Sequence, residues 1–205
     1  MKLQLAIDRV PLEKAIQIIH HTKDFVDIFE IGTSLIKDYG MHAVRKIREN
    51  FPDITILADL KTIDEAEYEF EAVYQAGADI ATVMGAAALN TIAICEEVSK
   101  KFKKDYVIDL LEVNDAKLEQ LLRFETAIFA IHLAMDQTSL SLESLLETTI
   151  GKLKAKRTAI AGGISLQTIP LIKTNGIDIV IVGGSITKSK DPSASARKMK
   201  EAIGD

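Results

Sequence analysis

Short apolar runs rich in Ile, Val, Leu and Ala return along this chain at a near-constant interval, and that recurrence narrows its fold more than any other feature. They fall at 3–7, 26–31, 54–58, 79–84, 105–111, 127–131, 157–161 and 178–182. Runs this short and this continuous read as strands buried on both faces, the pattern of a parallel sheet. Their starts lie roughly 21 to 30 residues apart, the length of one βα unit. The spacing predicts an α/β protein, a (β/α)8 TIM barrel of eight parallel strands, with residues 1–205 forming a single domain. A doubly wound open sheet competes, but it usually has fewer strands.

Helical patterns fill the intervals. Leu12, Ala15, Ile16 and Ile19 share one face behind Pro11. Ile36, Gly40, Ala43, Val44 and Ile47 predict a second helix. Asp64 reads as the N-cap of a third, with Ala66, Phe70 and Val73 as its stripe and Gly77 as its end. Ile92, Cys95, Val98 and Phe102 make a fourth, and further helices are expected near 115–123, 140–150, 165–174 and 192–203. The segment QAGADI at 75–80 is echoed by TNGIDI at 174–179, and each leads into a strand closed by glycine.

Twenty-five Lys+Arg against 30 Asp+Glu leave a net charge of −5. That balance argues against nucleic acid as a partner, because such binders carry a basic surplus. The single cysteine, Cys95, makes neither an internal disulfide nor a zinc site by itself, so a reducing compartment is expected. No run reaches the ~18 apolar residues of a membrane helix, and the first residues do not read as a secretory signal. A cytoplasmic protein with no membrane partner is the expectation.

In such barrels the active site lies at the C-terminal ends of the strands. There the sequence places Asp8, Glu30, Asp59, Lys61, Asp64, Asp109 and His132. Asp59 and Lys61 are two apart, hence on one side of a strand. Carboxylates of this kind suit Mg²⁺, a hard cation held by one or two carboxylates, water and substrate. An isolated Asp-x-Lys more often belongs to an interior ion network; the company of Asp8, Glu30 and His132 favours a site. His132 is a candidate acid or base. Gly162 and Gly163 after the seventh run, and Gly183 and Gly184 after the eighth, stand where these barrels often bind phosphate through backbone N–H groups, followed by Ser165, Ser185 and Thr187. His20, His21 and His42 fall on helices and read as surface residues. Lys14, Lys46 and the lysines of 100–104 read as solvated charges.

The segment ADLKTID at 58–64 matches the Asp-x-Lys-x-x-Asp signature of the orotidine-monophosphate-decarboxylase superfamily. Within it the chain resembles the 3-hexulose-6-phosphate synthases over essentially its full length. The supporting segments are LQLAID (3–8), EIGTSLIK (30–37), AGAD (76–79), AGGI (161–164) and IVIVGGSIT (179–187). The resemblance implies a Mg²⁺-dependent homodimer that joins formaldehyde to D-ribulose 5-phosphate through an enediolate, and also runs the reverse cleavage. It implies Glu30 and Asp59 as metal carboxylates, Lys61 near the enediolate oxygens, Asp8 as a substrate-pocket acid and His132 as the proton-transfer group. Asp64 would reach the partner subunit's site, and the four glycines would grip the phosphate.

The related 3-keto-L-gulonate-6-phosphate decarboxylases are the nearest alternative. They typically carry Glu on the fifth strand, Arg three residues after the histidine, and Thr before the first glycine pair. Here those positions are Asp109, Met135 and Ala161, which side with the synthases. One departure stands out. Synthases commonly read His-Thr-Gly-x-Asp after the sixth strand, whereas this chain reads HLAMD at 132–136. A non-catalytic sugar-phosphate-binding barrel, and an aldolase using Lys61 as a Schiff-base nucleophile, complete the alternatives.

Overall fold

The computed structural model describes residues 1–132 and 142–204. Its strands are β1 (Lys2–Ile7), β2 (Ile28–Ile31), β3 (Ile56–Thr62), β4 (Ile80–Met84), β5 (Asp105–Asp109), β6 (Ile128–His132), β7 (Arg157–Ala161) and β8 (Ile179–Val182). Each pairs in parallel with the next. β8 then pairs with β1, Lys2 against Ile179 through Leu5 against Val182, closing the barrel. The helices are α1 (Leu12–Thr22), α2 (Thr33–Tyr39), α3 (Met41–Asn50), α4 (Ala66–Gln75), α5 (Leu89–Phe102), α6 (Asp115–Leu121), α7 (Leu142–Thr149), α8 (Ile169–Thr174), α9 (Gly184–Thr187) and α10 (Pro192–Ile203). The expected (β/α)8 barrel is what the chain forms. No helix among the described residues is long and apolar enough to cross a membrane.

The strands are buried on both faces because they separate two apolar layers. Residues such as Leu3, Phe29, Val83 and Phe129 face outward to the helices. The alternate set, including Ile28, Leu57, Ile80, Val107, Ile128 and Ile179, fills the lower interior. A strand's period of two then dictates what stands above this plug. Two residues after Ile28 comes Glu30; after Leu57, Asp59; after Ile80, Thr82; after Val107, Asp109. On β6, Ala130 is followed by His132. A polar layer thus caps an apolar one at the C-terminal mouth.

The internal echo has a structural cause. Asp79 and Asp178 each stand just before an even-numbered strand, and each carboxylate accepts a backbone N–H from the preceding strand, Ile56 at 2.9 Å and Thr158 at 2.7 Å. Asp27 does the same for Leu3 at 2.7 Å. Gly77 (φ 110°) and Gly176 (φ 69°) supply the left-handed turns that lead into two of these aspartates.

Four local expectations are corrected. The helix expected through Ile36 and Ile47 breaks at Gly40 (φ 57°, ψ −151°), a conformation that glycine alone adopts readily. Asp64 is not the N-cap of α4; Glu65, left-handed at φ 52°, stands there. The fifth run stops at Asp109, where the Asp109 carboxylate accepts the Leu111 N–H and turns the chain. Lys104 is not simply solvated, since it pairs with Asp79 at 2.6 Å.

Candidate active site

A cavity of about 610 Å³ opens at the C-terminal mouth. Asp8, Glu30, Asp59, Lys61, Asp109, His132 and all four glycines of the two pairs line it. Asp64 does not; it is exposed beside Ile63, outside the cavity of its own chain. Met135 and the rest of 133–136 lie outside the described residues.

Lys61 is clamped between two acids, Asp109 Oδ2 at 2.9 Å and Asp59 Oδ2 at 3.2 Å. Simple strand alternation does not account for this. The β3–β4 ladder shifts register between Ala58 and Thr62, and Lys61 takes a left-handed φ of 52°. Such a bulge re-aims side chains, and here it sits where chemistry is expected. Its N–H is held by Thr82 Oγ1 at 2.9 Å, and the neighbouring Thr62 hydroxyl donates to Glu69. Burial opposes the ammonium charge, but the two carboxylates outweigh it and raise the Lys61 pKa.

Asp109 Oδ2 also receives His132 Nδ1, at 2.9 Å. Burial would lift the Asp109 pKa, yet the His132 hydrogen bond and the Lys61 charge pull it down to about 2. An ionised carboxylate can only accept, so Nδ1 is the donor in this bond and Nε2 is the ring nitrogen left to exchange a proton with substrate. Asp109, which the sequence places as an acid at a strand end, is the bracket that orients both Lys61 and His132.

Glu30 and Asp59 are held from behind. The Gln4 amide donates to Glu30 Oε2 at 2.6 Å. Thr33 and Thr82 hydroxyls donate to the two oxygens of Asp59, at 2.6 and 2.9 Å. Burial, and then the charge of Asp59, push the Glu30 pKa up to about 8, against the Gln4 hydrogen bond. Opposed carboxylates with hard oxygen donors fit a divalent cation that would relieve their repulsion. Among the described residues no three His, Cys, Asp or Glu side chains converge as a complete metal cage. Glu30 and Asp59 are oxygen donors of the kind that would hold a Mg²⁺ together with water and substrate.

Asp8 accepts both the N–H and the hydroxyl of Ser34, at 3.0 and 2.7 Å. Gly32 permits this packing, since a Cβ there would fall 2.1–2.3 Å from the Asp8 carboxyl atoms. Gly183 sits beside β1, where an added Cβ would be 3.6 Å from the Ala6 carbonyl. Gln4, Thr33 and Thr82 were not singled out from sequence. For Gln4 a signal existed: it shares the inward face with Ala6 and Asp8 at period two.

Comparison with known proteins settles the kinship. The sequence profile of the orotidine 5'-phosphate decarboxylase / HUMPS family matches residues 1–199. The chain belongs to the orotidine 5'-phosphate decarboxylase / HUMPS family. Within that family it is 38% identical to a 3-hexulose-6-phosphate synthase of Bacillus subtilis, over 99% of both chains. The solved 3-hexulose-6-phosphate synthase of Salmonella typhimurium superposes with a TM-score of 0.94 at 35% identity, covering 99% of this chain and 98% of that one. KGPDC from Streptococcus mutans, solved as a complex, gives a TM-score of 0.91 at 25% identity, covering 98% and 96%. These relatives carry the name 3-hexulose-6-phosphate synthase, that of a lyase-type enzyme.

Proposed function

We propose that this protein is a Mg²⁺-dependent 3-hexulose-6-phosphate synthase, adding formaldehyde to D-ribulose 5-phosphate and running the reverse cleavage. The observation that carries the reading is the shared Asp109 oxygen, which joins the Lys61 ammonium to His132 Nδ1 and leaves Nε2 as the other ring nitrogen. Kinship with the synthases supports the choice of substrate.

His132 removes the proton from the reacting carbon of the sugar phosphate, and Asp109 steadies the imidazolium that results. Lys61 offers fixed positive charge to the enediolate oxygens, in a cavity where that charge needs no rearrangement. Glu30 and Asp59 would hold the Mg²⁺, which when bound supplies further charge stabilisation at those oxygens. The enediolate carbon attacks formaldehyde, and His132 returns its proton to the new alkoxide. The glycine pairs after β7 and β8 take the phosphate through backbone N–H groups. The working unit is a homodimer in which Asp64 crosses to the partner's site. Asp64 stands outside its own cavity, in a stretch where Ile63 and Tyr68 are 57% and 73% exposed.

The test is formaldehyde consumption by purified protein with and without D-ribulose 5-phosphate and Mg²⁺, beside a parallel reaction on 3-keto-L-gulonate 6-phosphate. Loss of formaldehyde only when sugar phosphate and metal are both present is the expected result. Carbon dioxide from the parallel reaction without aldol activity would make it a decarboxylase. Binding without turnover would make it a sugar-phosphate-binding barrel. Lys61→Ala is expected to lower turnover by at least about 10²-fold with the fold retained by circular dichroism. Near-normal turnover in that variant would sink the mechanism, and borohydride trapping of Lys61 would point to a Schiff base instead.

A further inference from the structure

The phosphate of the proposed substrate brings about two negative charges into a cavity already rich in carboxylate. Among its described lining residues, Asp8, Glu30, Asp59 and Asp109 face three formal cations: Lys61, Arg9 and Lys188. Lys61 is committed to two of those acids. Arg9 and Lys188 form no ion pair among the described residues. Arg9 follows β1, with its N–H held by Ser34 Oγ at 2.6 Å, on the Asp8 side of the cavity. Lys188 belongs to the loop after β8, the one that carries Gly183 and Gly184.

The short helix α9 fixes where the Lys188 stem goes. The Lys188 N–H donates to the Gly184 carbonyl at 3.1 Å, so the two residues are one turn apart on one face. A Cβ added to Gly184 would meet Lys188 Cδ at 3.6 Å and Cε at 3.8 Å, ordinary contact distances. The aliphatic stem thus lies over the glycine whose backbone is offered to the phosphate, on an exposed residue that lines the cavity. Stem on apolar surface and charge in solvent is a favourable arrangement for lysine. A glycine backbone grip holds an anion by N–H dipoles alone, and a side-chain cation adds a formal counter-charge that strengthens the hold.

We infer that Lys188 is the phosphate-binding cation of this site, acting with the glycine grip and setting the preference for a phosphorylated over a neutral sugar. The inference rests on the proposed sugar-phosphate substrate. Steady-state kinetics and calorimetric binding of D-ribulose 5-phosphate on Lys188→Gln, Lys188→Arg and Lys190→Gln test it. Lys190 is exposed and does not line the cavity, so it reports any general effect of lost surface charge.

Lys188→Gln is expected to raise KM and Kd for the sugar phosphate about tenfold. Its kcat and its KM for formaldehyde should stay within twofold of the parent. Lys188→Arg should recover most of the loss, and Lys190→Gln should behave as the parent. An unchanged KM in Lys188→Gln, or an equal rise in Lys190→Gln, overturns the inference while leaving the aldol reading intact. Binding without turnover in the parent, weakened by Lys188→Gln, does the reverse. A parent that binds no sugar phosphate overturns both.

Discussion

At the scale of single residues, the chemistry turns on how much one oxygen is asked to do. Asp109 Oδ2 takes hydrogen bonds from both Lys61 and His132, and the carboxyl stays ionised down to about pH 2. Its folded pKa lies below the ordinary 3.8, so ionisation adds stability above about pH 4 that is lost as pH falls through about 2. The shift corresponds to roughly 2 kcal/mol. Asp109→Asn is expected to lose about that much stability at pH 7 and to show a flatter stability profile between pH 4 and 2, read by urea unfolding at each pH. Its turnover should fall as well, because an amide can donate as well as accept and no longer dictates the His132 tautomer. A variant with the parent's acid limb and full turnover would remove Asp109 from both roles. From sequence, Asp109 is visible as an acid at a strand end. Its double duty is not, because the meeting of β3, β5 and β6 side chains depends on barrel closure. Gln4, Thr33 and Thr82 are harder still, since a neutral polar residue inside an apolar run announces itself only once the inward face is known.

At the scale of elements, two glycines near α2 do opposite jobs. Gly40 holds a left-handed φ with open space where a Cβ would go, so its cost on substitution is purely conformational. Gly32 has an ordinary φ of −65° but no room, because the Asp8 carboxylate occupies the place of a Cβ. Gly40→Ala is expected to cost about 1–3 kcal/mol, lowering Tm by several degrees with normal kinetics. Gly32→Ala should displace Asp8, a movable side chain, and so raise KM for the sugar phosphate with a smaller change in Tm. The reverse assignment of effects would refute this account of the two positions. The elements themselves were largely readable: eight apolar runs became eight strands because burial on both faces leaves no polar alternation to obscure them. The break at Gly40 and the four-residue α9 were not foreseen. A helical stripe runs through the first on both sides, and the second is too short to have a period.

At the scale of the whole molecule, the barrel is a ring whose last strand must find its first. β8 docks on β1, and α10 fastens the seam: Lys200 reaches both Asp27 oxygens, at 2.8 and 2.7 Å, while Ala196, Met199 and Ile203 are buried. A chain ended after Lys190 would keep every strand and every named site residue. It is nevertheless expected to lose cooperative unfolding and substrate binding, because it leaves that seam uncovered and Asp27 without its cation. A sharp, parent-like urea transition in the truncated chain would show that α10 is dispensable. The ring order also bears on synthesis. Asp8 follows the first strand of the ring, and Gly183 and Gly184 follow the eighth. Every working part in between waits on a closing contact of high sequence separation, a slow step in folding. While the first seven strands are being made, the growing polypeptide therefore carries the ingredients of a catalyst with none of its geometry. Activity arrives in one late event rather than by degrees.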